Sequence, residues 1–178
     1  MSKVLIVVDM QNDFVTGPLG TPEAQAIVPH VEKKILEYLS DDAGLVMFTR
    51  DTHFSDYYTT EEGKHLSVMH CLHSSDGWQI IPELKGYSDN SDGVYNKFGF
   101  GYDSWTDVFM SGNSIESIEL VGVCTDICVI SNAIMLKSEY TEIPIVVDAS
   151  CCAGTTPENH AAALQVMKCC QIEVIGEK

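Results

Sequence analysis

Short runs of consecutive hydrophobic residues are separated along this chain by segments in which hydrophobic residues recur at helical spacing. The runs are rich in β-branched residues and predict strands at 4–8, 45–49, 117–123, 142–148 and 172–175. Continuously apolar runs of this length are typical of parallel strands that are covered on both faces. A weaker strand is predicted at 94–97, where the sequence reads VYNK.

Helices are predicted between these strands. The clearest case is 23–39, in which every fourth residue from Ile27 to Leu39 is hydrophobic. Further helices are predicted at 103–111, 126–138 and 158–169, the last of which begins with a typical Thr-Pro-Glu start signal. Because strands alternate with helices, we predict an α/β fold of three layers around a doubly wound, mainly parallel sheet.

The composition favours one compact domain, expected to span residues 1–178, that binds a small molecule. The 178 residues are 45% hydrophobic, which is enough for one core. The net charge of −16 argues against nucleic acid or an anionic membrane as a partner. No apolar run is long enough for a signal peptide or a membrane span. The seven cysteines, an odd number without zinc-finger spacing, are interpreted as reduced thiols of a cytoplasmic protein.

The segment 51–91 interrupts the alternation of strands and helices. It is rich in Gly, Ser and Asp, contains few periodic hydrophobic residues, and holds four of the six histidines of the chain. Long connections in compact domains are usually functional or disordered. The concentration of histidine favours a functional loop.

Several predicted strands end in residues that can carry chemistry. Asp9 follows the first strand, Asp51 and His53 follow the second, Lys97 ends the weak strand, and a segment with two cysteines follows 117–123. In an open parallel sheet, ligands bind beyond the carboxyl ends of the strands, so these residues are expected at one edge. Taken singly, each is ordinary as a cap, a surface charge or a small core residue. Together, an acid, an amine and a thiol are the components of an activated cysteine nucleophile.

The two cysteines lie four residues apart in VGVCTDICVI (121–130) and could be metal ligands, a disulfide or a nucleophile with a neighbour. A disulfide in a reducing compartment and a metal site without a second cysteine pair are the weaker interpretations. Thr125 or Asp126 is a suitable N-cap, which places Cys128 in the first helical turn, where the macrodipole favours a thiolate. We therefore predict Cys128 as the nucleophile. The backbone N–H groups of Cys124 and Cys128 are predicted to form an oxyanion hole.

The loop after the second strand contains candidate metal ligands. Asp51 and His53 are two apart in an extended segment, so their side chains project to one side and can reach one ion. They are followed by Glu61, Glu62, His65, His70 and His73. Imidazole with carboxylate suits Zn, Fe or Mn better than Ca or Mg. Spacing alone supports a metal site and a solvated acidic loop with incidental histidines equally.

These pieces resemble the isochorismatase-like cysteine hydrolases and, within them, the nicotinamidases. The matching stretches are LIVVDMQNDF (5–14), Lys97 with the following FGFGY, GVCTDICV (122–129) and DTH…EEGKHLSVMHC (51–71). With the final strand and helices, the resemblance covers essentially the whole chain. It implies that Asp9, Lys97 and Cys128 form the catalytic triad. It also implies a cis peptide bond between Val123 and Cys124.

The resemblance further implies a metal site. Nicotinamidases bind a metal ion through an Asp-x-His pair and a later His, often joined by a Glu or another His. Asp51, His53 and His70 match these positions and would hold one divalent transition metal ion, Zn, Fe or Mn. The fourth ligand is expected to be Glu61, Glu62 or His65, and we favour Glu62. This motif separates nicotinamidases from isochorismatases and other metal-free relatives.

The resemblance implies a substrate pocket that departs from the family in one place. Phe14 and Phe100 match pocket positions. Family members usually have an aromatic residue three positions before the last metal-binding His and a Pro close before it. This chain has Ser67 at the aromatic position and no such Pro. Trp78 is therefore expected to supply the missing face of the pocket.

The function implied by the resemblance is that of a nicotinamidase in NAD salvage. Such an enzyme hydrolyses nicotinamide to nicotinate and ammonia through a cysteine thioester, with a metal ion bound. One alternative is a related hydrolase that acts on another small amide or on isochorismate. Another is a non-catalytic small-molecule binding protein on the same fold. Because relatives are often oligomers, a homo-oligomer is one expectation.

Overall fold

A computed structural model of the protein describes residues 1–109 and 114–177. Its strands are β1 (Ser2–Val8), β2 (Gly44–Asp51), β3 (Gly93–Lys97), β4 (Ile115–Val123), β5 (Ile145–Ala153) and β6 (Glu173–Ile175). They form one parallel sheet in the order β3-β2-β1-β4-β5-β6. The chain starts in the middle of the sheet, builds outward to β3, and returns to build the other half from β4. The predicted doubly wound α/β fold is confirmed, and the weak strand at 94–97 is real.

Helices connect these strands. They are α1 (Asn12–Val15), α2 (Pro22–Ala26), α3 (Val28–Leu39), α4 (Glu61–His65), α5 (Pro82–Asp89), α6 (Trp105–Phe109), α7 (Ile130–Glu139) and α8 (Pro157–Cys169). A 3-10 turn covers Tyr57–Thr59, and a π-helical turn covers Thr125–Val129. Within the described ranges, no helix combines the length and the apolar character that a membrane crossing requires.

The central strand β1 shows why its sequence is apolar at consecutive positions. Val4, Ile6 and Val8 belong to a core cluster that includes residues of α7 and α8. Leu5 and Val7 belong to a second cluster, with residues of α3 and α5. All five side chains are completely buried. Helices therefore cover both faces of the sheet, giving the three predicted layers.

The prediction of one continuous helix over 23–39 is wrong. The segment forms α2 and α3, which meet at Ile27. Pro29 lies in the first turn of α3. In an uninterrupted helix, proline would lack the N–H for the carbonyl four residues earlier and would clash with it, so the chain starts a new helix instead. The prediction of a helix over 103–111 corresponds to α6, and residues 110–111 lie outside the described ranges.

The strand predicted at 142–148 begins and ends later than expected. Pro144 precedes β5, which continues to Ala153. After an irregularity in the register, Cys152 pairs with Gly122 and Ala153 with Val123. The end of β5 therefore lies beside the end of β4, and this carries the loop before α8 to the segment with the two cysteines.

The segment 51–91 is partly helical, contrary to its prediction as an irregular loop. It contains the 3-10 turn, α4 and α5. Thr60 caps α4, because its side-chain oxygen accepts a hydrogen bond from the N–H of Gly63 at 3.0 Å. The cap fixes the orientation of a short helix that carries Glu62. The assignment of residues 1–178 to one domain stays a prediction.

Candidate active site

The strand-end residues predicted from the sequence meet at the carboxyl edge of the sheet. Asp51 and Lys97 are register partners at the ends of β2 and β3. Asp9 follows β1, and Cys128 lies in the π-helical turn after β4. All four residues are buried, with at most 5% of each exposed. The parallel sheet thus brings together an acid, an amine and a thiol that are distant in sequence.

Asp9 is held in place by the neighbouring strand. Its φ of +50° lies in the left-handed region, which residues other than glycine rarely adopt. The hydroxyl of Thr49 donates a hydrogen bond to Asp9 Oδ1 at 2.7 Å and accepts one from the Asp9 N–H at 3.3 Å. Thr49 therefore fixes both the backbone and the carboxylate of Asp9.

The ammonium group of Lys97 is the centre of the cluster. Its Nζ lies 2.7 Å from Asp9 Oδ2, 3.2 Å from Asp51 Oδ1 and 3.4 Å from Cys128 Sγ. It also donates to the carbonyl oxygen of Gly99 at 3.2 Å. The amine is thus surrounded by acceptors, and both Asp9 and Cys128 contact it directly.

Burial and charge together set the protonation states of this cluster. Burial raises the pKa of the Cys128 thiol well above its usual value, and the charge of Lys97 only partly offsets this. Burial also raises the pKa of Asp9, again with partial compensation by Lys97. Burial alone would lower the pKa of Lys97, but Asp9, Cys128 and Asp51 raise it well above its usual value. Burial therefore favours the neutral forms of the thiol and the carboxyl group, while the neighbouring groups favour the lysine cation.

The turn that carries Cys128 differs from the predicted one. The N-cap of the π-helical turn is Cys124, and Thr125 lies inside it, so the prediction of Thr125 or Asp126 as the cap is wrong. Burial raises the pKa of the Cys128 thiol, so the preference for a thiolate stays a prediction. The peptide bond between Val123 and Cys124 is cis, as the resemblance implied.

Residues of the loop before α8 and of α8 itself form hydrogen bonds with the π-helical turn that carries Cys128. The Asp126 carboxylate accepts hydrogen bonds from the N–H and the hydroxyl of Thr155, at 2.8 and 2.5 Å. The Thr125 hydroxyl lies 2.8 Å from His160 Nδ1. Thr125 and Asp126 are thus occupied by partners that come from beyond the end of β5. These contacts hold the backbone around Cys128.

A second cluster lies directly beside the first. One ligand atom from each of Asp51, His53, Glu62 and His70 lies within 4.8 Å of the others. Asp51 Oδ2 is 2.9 Å from His53 Nε2 and 3.3 Å from His70 Nε2. Glu62 Oε1 is 3.6 Å from both of these nitrogens. Asp51 joins the two clusters, because its other oxygen contacts Lys97.

The chemistry of this second cluster fits a divalent transition metal ion. Two imidazole nitrogens and two carboxylates are ligands that Zn, Fe and Mn accept. His70 Nδ1 is 2.8 Å from the carbonyl oxygen of Val68, to which it can only donate. In the neutral ring this leaves the lone pair on Nε2, which faces the other three groups. The residues present therefore fit the metal that the resemblance implied.

The geometry supports Glu62 as the fourth ligand. The side chain of Glu61 is 81% exposed and pairs with Lys64 at the surface. His65 is exposed at the end of α4 and stands outside the four-residue cluster. Glu62 is the one of the three candidates whose carboxylate reaches both histidines.

Replacing Glu62 with glutamine is expected to weaken metal binding by about tenfold or more, since a neutral amide replaces an anionic ligand. Glu61→Gln is the matched control because it makes the same change one residue away, on the exposed side. We expect its metal affinity to stay within about twofold of the wild type. Titration against a chromophoric chelator measures both affinities. Equal weakening in the two variants would show that Glu62 is not a ligand.

A cavity of about 810 Å³ opens onto both clusters. Cys128 and Cys124 line one part of it, and Asp51, Glu62 and His70 line another. A small molecule in this cavity can therefore contact the thiol and the metal-binding groups at the same time. Phe14 and Phe100 also line the cavity, as the resemblance implied.

The expectation that Trp78 forms a pocket wall is wrong. Trp78 is 7% exposed, belongs to a core cluster and lies outside the cavity lining. Its indole N–H donates to the hydroxyl of Thr52 at 2.9 Å, and the guanidinium of Arg50 lies 3.6 Å from the ring centroid. These contacts hold the ring against the second strand. Leu66, the neighbour of Ser67, contributes an aliphatic wall instead.

Two supporting residues were not predicted as part of the site. Gln11, completely buried, donates from Nε2 to the carbonyl oxygens of Asp51 and Trp78, each at 2.9 Å. Its Oε1 accepts from the Asp51 N–H at 2.7 Å. Thr49 holds Asp9. A glutamine just after an apolar strand, and a threonine inside one, were the signals in the sequence, since such polar groups need partners when buried.

Comparisons with known proteins show what the chain is similar to. The isochorismatase domain model matches residues 3–177. The chain is similar to a nicotinamidase of Schizosaccharomyces pombe, with 27% identity over 98% of this chain and 93% of the relative. It is also similar to a nicotinamidase/pyrazinamidase of Mycobacterium tuberculosis, with 25% identity over 97% and 98% of the two chains. A pyrazinamidase of Pyrococcus horikoshii, solved in complex with zinc, superimposes with a TM-score of 0.84 at 24% identity, covering 99% and 100%.

The chain belongs to the isochorismatase family. The family model matches almost the whole chain, and the fold agrees with this membership. The predicted enzyme class, an amidohydrolase of this family, is confirmed.

Proposed function

We propose that the protein is a nicotinamidase, which hydrolyses nicotinamide to nicotinate and ammonia through a thioester on Cys128. The observation that carries the proposal is the direct junction of two clusters in one cavity. We call Asp9, Lys97 and Cys128 the cysteine cluster, and Asp51, His53, Glu62 and His70 the metal-type cluster. One oxygen of Asp51 contacts Lys97 of the cysteine cluster. Its other oxygen contacts His53 and His70 of the metal-type cluster. The nicotinamidase relatives and the zinc complex of the pyrazinamidase support the same activity.

The first half of the proposed reaction forms the thioester. Asp9, made more basic by burial, takes the proton of the Cys128 thiol, and the sulfur attacks the carboxamide carbon. The backbone N–H groups of Cys124 and Cys128 stabilise the resulting oxyanion. Asp9 then returns its proton to the departing nitrogen, so that ammonia leaves and the thioester remains.

The second half releases the acid. Asp9, unprotonated again, takes a proton from a water molecule as the water oxygen attacks the thioester carbon. The carbon–sulfur bond breaks, and the proton on Asp9 returns to the Cys128 sulfur. The product leaves as the acid and loses its proton to the solvent to give nicotinate, and the starting protonation state is restored.

Lys97 contacts both groups that exchange the proton, Asp9 and Cys128, and does not take up the proton itself. Because its pKa is raised well above the usual value, it remains a cation and is not a competing base. Its positive charge stabilises the thiolate as the proton moves to Asp9. Its contacts with both groups hold them around one point.

Asp51, His53, Glu62 and His70 would hold the divalent metal ion in this proposal. When bound, a metal ion supplies a Lewis acid for the pyridine nitrogen, which orients the ring and withdraws electron density from the amide. His70 keeps its Nε2 directed at the ligand cluster through its bond to the Val68 carbonyl. A role in NAD salvage and a cytoplasmic location stay predictions.

A nicotinamide assay combined with metal analysis of the same sample tests the proposal. We expect equimolar ammonia and nicotinate, together with bound Zn, Fe or Mn approaching one ion per chain. Cys128→Ala protein prepared in parallel is the background. Nicotinate production no higher than in that background, from protein that contains metal, would refute the proposal.

A further inference from the structure

Asn132 is a buried amide that the proposed reaction does not use. It lies in α7, one turn after Cys128, and is completely buried. Its side chain offers two donor hydrogens on the nitrogen and an oxygen that can accept two hydrogen bonds. A polar group of this capacity that is closed off from water needs hydrogen-bond partners within the protein. The two ends of the amide find these partners in two different segments of the chain.

The nitrogen of Asn132 binds the peptide group that follows the predicted nucleophile. Its Nδ2 donates a hydrogen bond to the carbonyl oxygen of Cys128 at 2.8 Å. The N–H of the same peptide group belongs to Val129 and donates to the carbonyl oxygen of Cys124 at 3.0 Å. This peptide group is therefore held at both ends, by the π-helical turn and by Asn132. Because a peptide group is planar, holding both ends restricts the backbone that carries the Cys128 sulfur.

The oxygen of Asn132 binds the segment that follows Lys97. Its Oδ1 accepts hydrogen bonds from the N–H of Tyr102 and from the indole N–H of Trp105, each at 2.9 Å. The Nδ2 also makes a longer contact, of 3.4 Å, with the carbonyl oxygen of Phe100. Carbonyl groups thus surround the nitrogen and N–H groups surround the oxygen, so these partners fix the orientation of the amide.

The segment 99–102 contributes to the wall of the cavity. Gly99 and Phe100 line the same cavity as Cys128. The carbonyl oxygen of Gly99 accepts a hydrogen bond from Lys97 Nζ at 3.2 Å. Asn132 therefore connects a part of the cavity wall to the turn that carries the sulfur. A substrate in the cavity would contact both, so their relative position decides how closely its amide carbon approaches the sulfur.

We propose that Asn132 is a positioning residue for amide hydrolysis, which holds the Cys128 turn and the wall segment 99–102 in a fixed relation to each other. This inference rests on the proposed function, because it names the residue that aligns the nucleophile with the substrate at that site. The nitrogen of Asn132 holds the turn and its oxygen holds the wall. Loss of the first contact should lower kcat, and loss of the second should raise KM.

Two variants that differ by a single oxygen atom separate these contacts. Ser131 and Ser138, on the same helix, donate to the carbonyl oxygen four residues earlier, at 2.6 and 2.7 Å. The hydroxyl of Asn132→Ser is expected to make the same bond to the Cys128 carbonyl, while the contacts with the segment 99–102 are lost. Asn132→Ala loses both sets of contacts. The comparison of the two variants therefore isolates the bond to the Cys128 carbonyl.

We expect Asn132→Ser to raise the KM for nicotinamide by about fivefold or more, because binding must then order the wall, and to keep kcat within about threefold of the wild type. We expect Asn132→Ala to raise KM similarly and to lower kcat by about thirtyfold or more, because the sulfur is no longer held in line with the substrate. A general loss of folded protein does not produce this pattern, since it lowers kcat without changing KM.

Equal kcat values in the two variants, or an unchanged KM in Asn132→Ser, would overturn the inference. If Asn132→Ala does not fold, Asn132→Ser decides the question alone. An Asn132→Ser enzyme with a KM equal to that of the wild type, or with a kcat below about a tenth of the wild-type value, would then contradict the proposed role.

Residue-resolved hydrogen exchange separates this inference from the proposed activity, because it requires no turnover. The N–H of Tyr102 reports on the wall, and the N–H of Val129 reports on the turn. We expect both to exchange about tenfold faster or more in Asn132→Ala, and only the Tyr102 N–H to do so in Asn132→Ser. If the wild type does not hydrolyse nicotinamide but this pattern is found, the activity is wrongly assigned and the link between turn and wall holds. If nicotinamide is hydrolysed but the pattern is absent, the role of Asn132 is wrong and the activity holds.

Discussion

Replacing Cys128 with alanine is expected to lower the turnover of nicotinamide by on the order of 10⁴-fold or more. The sulfur contacts the Lys97 ammonium at 3.4 Å and is the atom that would bond to the amide carbon. Without it, the remaining groups still bind substrate but form no thioester. Ammonia release measures the loss. Mass spectrometry of acid-quenched reactions should show an acyl adduct on Cys128 in the wild type and none in the variant.

Cys124→Ala is the matched control, because it removes the other thiol of the same turn. Cys124 is needed only for its backbone N–H, which alanine also supplies, so we expect a loss of less than about tenfold. Burial raises the pKa of the Cys124 thiol to about 12, and the Lys97 ammonium that also contacts Asp9 lies against the sulfur of Cys128. Losses of equal size in the two variants would contradict this division between sulfur and backbone.

The position of the candidate site was predictable from the sequence, because a parallel sheet places the carboxyl ends of its strands at one edge. Asp9, Asp51, Lys97 and Cys128 end or follow four strands whose apolar sequences are clear, with β3 the weakest of the four. Once the strands are recognised as parallel, their carboxyl ends share an edge. The proximity of Asp9, Asp51 and Lys97 then follows from topology, whereas Cys128 reaches Lys97 through the turn after β4.

The location of Trp78 was not predictable from its own neighbours in sequence. Its ring is held by Thr52 and Arg50, which come from the end of β2 and the residue after it. An indole with an N–H partner and a cation over its face is stable in the core. The sequence offered an aromatic residue near the site but gave no information on which side of the backbone it would pack.

The prediction of the N-cap residue of the turn that carries Cys128 was wrong for a related reason. Thr125 and Asp126 have the side chains of good N-caps, and local sequence alone supports that assignment. In the fold, His160 and Thr155 are their partners. These partners follow β5, which extends to Ala153 after an irregularity in its register with β4. A local preference was thus overridden by a tertiary contact.

Removing the metal ion is expected to lower nicotinamide hydrolysis by on the order of 10²-fold or more, because a Lewis acid at the ring contributes several kcal/mol. Benzamide is the matched substrate, since it has the same amide but no ring nitrogen. We expect chelation to bring the kcat/KM of nicotinamide down to that of benzamide, and to change benzamide by less than about threefold. Adding back Zn, Fe or Mn should restore the difference.

Chelation of the metal ion should leave the geometry of the cysteine cluster unchanged. The loss of nicotinamide hydrolysis would then be due to the lost contact with the pyridine ring. Burial would raise the pKa of Asp51, but Lys97, His53 and His70 hold it well below its usual range. Asp51 therefore remains a carboxylate beside Lys97 at neutral pH after the ion is removed. Alkylation of Cys128 by iodoacetamide should accordingly proceed at a rate within about threefold of that of the metal-loaded enzyme. Loss of benzamide hydrolysis together with nicotinamide hydrolysis, or a large change in alkylation, would mean that the ion stabilises the cysteine cluster instead of the pyridine ring.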